Sequence, residues 1–270
     1  MRAITITDQE FAQFQKLIHG IAGISMSTAK KPLVSGRLAK RLAHHGVGSY
    51  GEYFRLLQDD GSRGELQIAV DLLTTNETFF FREPKHFDFL RDKVLPHHRP
   101  GRPFRVWSAA CSSGEEPYTL AMVLADGLGD APWEIVGSDI STRVLEKARG
   151  GHYSLERVKG ISQQHLSRHC LKGVGSQEGT FLIDRRLRQQ VQFRQINLNE
   201  PLPQLGEFDV VFLRNVMIYF NMETKVQVVR RILPLLRPGG YFIVSHSESL
   251  NGVTDELKIV TPSIYRKPHA

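Results

Sequence analysis

Beginning at Phe104 the chain settles into a strand–helix alternation that few architectures can satisfy. "PFRVWSAA", "EEPYTLAMVLADGLG", "WEIVGSDIS" and "TRVLEKAR" follow one another with only short connections. Short apolar runs read as buried strands, and apolar residues recurring every three or four positions read as helices. The pattern therefore predicts strands at Phe104–Ala109 and Glu134–Ser138, and helices at Glu116–Leu128 and Ser141–Arg149. Further strands are predicted in "QVQFRQI", "FDVVFLR" and "GGYFIVSH", with the helix "METKVQVVRRILPLL" between the last two. Such alternation gives a doubly wound, mostly parallel α/β sheet covered on both faces. The tail "ELKIVTPSIYRK" suits a closing antiparallel pair around Thr261-Pro262. One stretch, "LKGVGSQEGTFLIDRRLRQQVQF", breaks the rhythm with three glycines and predicts a small β-hairpin insertion at about 170–190.

Residues 1–75 read differently, as a small all-helical domain. Thr7 and Glu10 have capping-box spacing ahead of Phe11, Phe14, Leu17, Ile18 and Ile21. Ser49–Glu52 and Ser62–Glu65 repeat the signal before further apolar sets. Between them "AKKPLVSGRLAKRLAHHG" predicts a helix whose stripe is Val34, Leu38 and Leu42. Lys30, Arg37, Lys40, Arg41 and His44 fall on a neighbouring face. Residues 76–100 then form a linker and connecting helix, and residues 101–270 the α/β domain.

The net charge of +7 points to an acidic partner without choosing among nucleic acid, membrane surface and protein. No apolar run approaches the roughly 20 residues that cross a bilayer, and "MRAITITDQEF" lacks the apolar core of a secretory signal. Two cysteines, Cys111 and Cys170, make neither a disulfide framework nor a CxxC zinc site. A cytoplasmic protein is the expectation.

In an open parallel sheet, ligands bind beyond the carboxyl ends of the strands where the strand order reverses. The first strand aims "SAACSSGEEPY" at that place. The loop has small residues for close approach, but neither GxGxxG nor GxxxxGK[ST], so a dinucleotide or triphosphate is poorly supported. Glu115 and Glu116 at the helix start would repel a pyrophosphate and attract a cation. Asp139, at the tip of the second strand, suits a ribose diol rather than a cap for the next helix, where Ser141 serves that purpose. Asn197 and Leu198 follow the third strand; Arg214, Asn215 and Tyr219 follow the fourth. A ribose, a base edge and a cation without phosphates describe S-adenosylmethionine better than NAD or ATP.

"LTTNETFFFRE", "VWSAACSSGEEPYTLAM", "VGSDIS" with "VLEKAR", and "FDVVFLRNVMIYF" together resemble the chemotaxis receptor glutamate methyltransferases, the CheR family. The resemblance runs in order over essentially the whole chain. It implies a helical N-terminal domain, a Rossmann-like methyltransferase domain and S-adenosylmethionine as donor, with S-adenosylhomocysteine as product. It also implies methyl esterification of glutamates on the cytoplasmic helices of membrane chemoreceptor arrays, for sensory adaptation. Cofactor contacts carried over by motif are Asn76, Thr78, Arg82, Glu116, Asp139, Asn197, Leu198, Arg214 and Asn215. The hairpin resembles the β-subdomain that in some members docks a receptor C-terminal peptide. On the same resemblance Arg37, Lys40 and Arg41 become candidate substrate-binding residues, steering acidic receptor helices.

A glutamate is ionised at neutral pH, so direct displacement at a sulfonium needs no general base and no metal. Orientation should dominate. Arg82 is expected to place the methionyl carboxylate or the incoming glutamate, because a tight clamp on the nucleophile would favour the ground state. Tyr219 is the candidate for guiding the attacking oxygen. An RNA or DNA methyltransferase would share the fold and charge, but "RNVMIYF" lacks the Asn/Asp-Pro-Pro-aromatic signature and no Pro-Cys nucleophile is present. A non-catalytic cofactor-binding module is the remaining alternative.

Overall fold

The computed structural model describes residues 4–59, 61, 63–98 and 101–269. Four helices open the chain: α1 (Asp8–Ala22), α2 (Lys31–His45), α3 (Tyr50–Leu57) and α4 (Arg63–Leu73). Thr7 caps α1 in a reciprocal box with Glu10, and Ser49 accepts from Glu52 N at the start of α3. The cap predicted at Ser62 lies outside the described residues. The apolar stripes converge on one core, with Phe14, Ile18, Val34, Leu38, Tyr50, Tyr53 and Ala69 essentially inaccessible. Gly23 ends α1 in a left-handed conformation, where an added Cβ would lie 2.5 Å from Thr224 Cγ2. Only glycine lets this corner seat against the second half of the chain.

After the linker come α5 (Lys85–Phe89) and the alternating elements β1 (Phe104–Ser108), α6 (Glu115–Leu128), β2 (Trp133–Asp139) and α7 (Thr142–Gly150). A small antiparallel sheet is built from β3 (His152–Ser154), β4 (Cys170–Lys172) and β5 (Thr180–Ile183), with α8 (Gln163–His169) between its first two strands. Short α9 (Arg185–Arg188) leads back to β6 (Val191–Gln195) and β7 (Phe208–Phe212). Then follow α10 (Met222–Ile232), β8 (Leu236–Ile243), β9 (Lys258–Thr261) and β10 (Ile264–Arg266). The large sheet has the order β6-β2-β1-β7-β8-β10-β9. Its first five strands are parallel, while β10 runs antiparallel to both β8 and β9. Order reverses between β1 and β7, which puts the ligand crevice beyond their carboxyl ends.

Two expectations need revision. The insertion starts at His152 rather than near 170, because His152 and Tyr153 pair with Leu182 and Phe181 and make β3 a full partner of the hairpin. Ser141 is the expected cap of α7, yet among the described residues its hydroxyl has no partner. Asp71 of α4 caps α7 instead, accepting from Thr142 N at 3.0 Å, Arg143 N at 3.1 Å and Thr142 Oγ1 at 2.7 Å. A carboxylate offers two oxygens to the orphan amides and complements the helix dipole. One residue thereby fastens the helical domain to the sheet.

Candidate active site

The crevice at the switch point spans about 920 Å³, the open solvent at its mouth included. Its lining includes Asn76, Thr78, Arg82, Glu116, Asp139, Asn197, Leu198, Arg214, Asn215 and Tyr219. The linker, three strand tips and the loop after β7 thus bring all these expected residues together. Ala109, Ala110 and Ser112 supply the small-residue floor. Among the described lining residues there is no histidine, cysteine or lysine.

Asp139 is 8% exposed and held rigidly, accepting from Ser112 N at 2.9 Å and Ser141 N at 3.0 Å. Burial pushes its carboxyl up, and those two amide bonds push back. Glu116 accepts from Ser108 Oγ at 2.7 Å and from Arg214 Nη1 at 2.6 Å. Arg214 is 5% exposed; it also lies 3.2 Å from Glu83 Oε2, donates to the Arg82 carbonyl, and sits over the Phe87 ring. Among the described residues its Nε has no partner. Burial works against ionisation of Glu83, but Arg214 and the His246 N–H outweigh it and hold that carboxyl below its usual range.

Backbone strain gathers here. Among the described residues five non-glycine positions have positive φ, and Phe81, Glu83, Ser112 and Asn215 are four of them. Ser112 and Asn215 line the crevice, while Phe81 and Glu83 flank Arg82. Such conformations cost of order 1–3 kcal/mol each and persist only where the surroundings impose them. Glu83 is the main functional residue that sequence reasoning passed over. It accepts from His246 N at 3.0 Å and thereby pins the turn that carries Arg82. Its signal was an acid beside an arginine directly before proline. Ala22 and Ile24, which wall the crevice from the end of α1, carried no signal at all. Ile24 reaches it by bridging to Phe220, with Ser25 N donating to the Tyr219 carbonyl at 2.7 Å.

The phenylalanine run divides. Phe80 is fully buried against Tyr153 and Phe181 of the small sheet. Phe81 is half-buried on Phe87 and His165. Phe79 is 46% exposed, lines the crevice and carries the Arg82 guanidinium 5.6 Å above its ring. The Arg82 side chain donates to the Glu77 carbonyl at 2.9 Å.

The basic face of α2 is not free throughout. Arg37 donates to the Leu73 and Thr74 carbonyls at 3.0 Å each, so burial draws its pKa down. Arg41 grips Glu65 through Nε at 2.8 Å and through Nη2. Both guanidiniums are spent on internal bonds. Lys30, Lys40 and His44 remain exposed. Arg37 therefore acts on the start of the linker, where Thr74, Thr75 and Asn76 line the crevice.

Glu83, His86 and His246 lie close enough together to suggest a cation. Arg214, only 2% exposed at its side chain, already occupies that carboxylate. Burial lowers the His86 pKa to about 3, keeping the ring neutral against Ser263 Oγ at 2.7 Å.

With the crevice in view, two family models match the chain. "CheR methyltransferase, SAM binding domain" covers residues 76–265, and "CheR methyltransferase, all-alpha domain" covers residues 9–74. The chain belongs to the CheR methyltransferase family. It is 40% identical over 265 residues to the chemotaxis protein methyltransferase of Salmonella typhimurium, spanning 97% of this chain and 91% of that one. The Escherichia coli chemotaxis protein methyltransferase is likewise 40% identical, over 97% of this chain and 92% of its own. Chemotaxis protein methyltransferase 2 of Pseudomonas aeruginosa is 42% identical, over 96% and 93%. This CheR chain is an S-adenosylmethionine-dependent methyltransferase, and its crevice suits that donor. The buried carboxylate of Asp139 and the half-buried one of Glu116 offer acceptors for hydroxyl and ammonium donors, and the small-residue floor admits close approach.

Proposed function

We propose that the protein transfers methyl groups from S-adenosylmethionine to glutamate side chains of chemoreceptor cytoplasmic helices. The observation that carries this reading is a crevice lined by Asp139, Glu116 and Arg214 but by no described histidine, cysteine or lysine. An amine or hydroxyl nucleophile would need a free proton acceptor, and the Asp139 and Glu116 carboxylates are already held by Ser112 N, Ser141 N, Ser108 and Arg214, whereas a carboxylate of ordinary pKa near 4.3 arrives ionised. The names of the full-length relatives agree with a chemotaxis substrate.

When bound, the donor supplies an electrophilic methyl group on a sulfonium. Asp139 and Glu116 bind and orient it, with Asn76 and Thr78 closing from the linker and Asn197, Leu198 and Asn215 completing the contacts. Arg82, held over Phe79, positions a carboxylate at the mouth. Tyr219, half-buried and with a single rotatable hydroxyl, guides the attacking oxygen without clamping it, since charge fades toward the transition state. Lys40 and Lys30 offer the exposed cations that steer an acidic helix. Arg37 and Arg41 serve the scaffold that presents them.

The small sheet extends this reading. Leu171 on β4, an edge strand, is 55% exposed, and Val174 just beyond the end of that strand is 78% exposed. A free edge with apolar pockets suits an extended receptor C-terminal peptide. The protein is expected to work in the cytoplasm at receptor arrays; among the described residues no helix is long and apolar enough to cross a membrane.

The test is incubation with radiolabelled S-adenosylmethionine plus a receptor cytoplasmic fragment or, separately, bulk RNA. Base-labile label on the fragment alone supports the proposal, and label on RNA refutes it.

A further inference from the structure

Behind the crevice wall, one carboxylate outside its lining gathers three backbone amides. Glu248 closes the turn at residues 245–248 that follows β8, its own N–H donating to the Ser245 carbonyl at 3.0 Å. Its Oε2 accepts from Ser245 N and from Asn215 N, both at 2.9 Å. Its Oε1 accepts from Ile218 N at 3.2 Å. Two of these three amides belong to the loop after β7, which carries Asn215 and Tyr219 into the crevice. The register between β7 and β8 runs to Phe212 and Ile243, so beyond the ladder Glu248 carries the connection between the two strands. Asn215 sits at φ 58°, a conformation that persists only where its surroundings impose it. The bond from its N–H to Glu248 is part of that imposition.

We propose that Glu248 is a positioning residue for methyl transfer, fixing where Asn215 meets the donor and where Tyr219 meets the attacking oxygen. The proposal rests on the roles given to those two residues above. Glu248 touches neither donor nor substrate; it acts through the backbone that presents them. The loop is gripped from both sides, because Ser25 N donates to the Tyr219 carbonyl at 2.7 Å while Glu248 holds the preceding amide of Ile218. Orientation is the main source of rate in a displacement that needs no general base, so a device that fixes the loop acts on turnover.

The two oxygens divide the work: Oε2 sets Asn215, and Oε1 sets the residue before Tyr219. Glutamine separates them, because an amide keeps one acceptor oxygen and replaces the other with a donor. Its oxygen at the Oε2 position preserves two of the three bonds and turns the NH2 group against the Ile218 N–H. Glu248→Gln should therefore hold Asn215 and release the Tyr219 end of the loop. Glu248→Ala should release both.

The test uses the full chain. Glu248→Gln should lower kcat for methylation of a receptor fragment several-fold, up to the about tenfold supplied by the Tyr219 hydroxyl, with S-adenosylhomocysteine affinity unchanged. Glu248→Ala should lower kcat similarly and also weaken S-adenosylhomocysteine binding about fivefold. Hydrogen exchange should show the Ile218 amide losing protection in the glutamine variant, and the Ile218 and Asn215 amides both losing it in the alanine variant. A Glu248→Gln/Tyr219→Phe double variant should be no slower than Tyr219→Phe, since the glutamine acts through that hydroxyl. Full kcat in Glu248→Gln overturns the proposal, and so does a double variant slower than Tyr219→Phe by the whole factor of the glutamine change. Should the unaltered chain leave the receptor fragment unlabelled, the substrate reading fails on its own. Product calorimetry then decides the role of Glu248, and an alanine variant with unaltered affinity overturns it.

Discussion

Arg214 and Glu116 meet across the point where strand order reverses, the guanidinium Nη1 donating to the carboxylate Oε2 at 2.6 Å. Arg214 follows β7 and Glu116 opens the helix after β1, so the pair ties together the two strands that frame the crevice. Removing one partner of an enclosed ion pair leaves an uncompensated charge, at a cost of about 3–5 kcal/mol. Arg214→Ala should therefore lower stability by about that much and weaken S-adenosylhomocysteine binding. Arg214→Lys keeps the charge but cannot reach Glu116, Glu83 and the Arg82 carbonyl together. It should recover more stability than affinity. Denaturant melts and product calorimetry on the two variants check both halves.

Tyr219 lines the crevice, and among the described residues its hydroxyl has no hydrogen-bonded protein partner. That leaves it available to an incoming carboxylate. Tyr219→Phe should reduce kcat by about tenfold, the worth of one hydrogen bond that orients the attacking oxygen, with product affinity unchanged. Single-turnover methylation of a receptor fragment measures it. Full turnover with normal affinity would remove Tyr219 from the mechanism.

Lys40 and Arg41 are sequence neighbours with opposite fates. Lys40 is exposed, so Lys40→Glu should change stability by no more than about 0.5 kcal/mol. It should raise KM for a receptor fragment and flatten the salt dependence of methylation, because screening acts on exposed charge. Arg41→Ala should instead lower stability by about 3 kcal/mol by stranding Glu65. Methylation kinetics over a salt series, set beside thermal melts, separate the two roles.

The contrast shows where sequence is legible. Periodicity placed Arg37, Lys40 and Arg41 on one face correctly, since helix geometry is local. Whether a side chain on that face stays free depends on what another helix brings to it: Glu65 for Arg41, the end of α4 for Arg37. No pattern within α2 carries that information. The same holds for α7, whose own Ser141 has capping chemistry but whose amides are taken by Asp71 from α4. The crevice was readable because its residues sit at strand tips, where topology alone dictates convergence. Glu83 escaped because its role depends on a backbone with positive φ and on the amide of His246, more than 150 residues away in sequence.

Glu65 gives the helical domain a distinct acid response. It is 9% exposed and accepts from Tyr53 at 2.6 Å, from Arg41, and lies 3.0 Å from His45 Nε2. Burial opposes its ionisation, but the bonds from Arg41, Tyr53 and His45 prevail and bring its pKa down to about 2. The folded value lies below the unfolded one near 4.5, so folding favours the charged form. The resulting stabilisation, about 3 kcal/mol at most, is fully present above pH 4.5 and is lost as pH falls toward 2. Glu65→Gln should be less stable than the unaltered chain by about that amount at pH 7. Because the glutamine has no proton to gain, the gap should shrink steadily between pH 4.5 and pH 2. Urea melts of both proteins across that range read the difference directly. A gap that stays constant with pH would mean that packing, rather than the ionised carboxylate, is what Glu65 contributes.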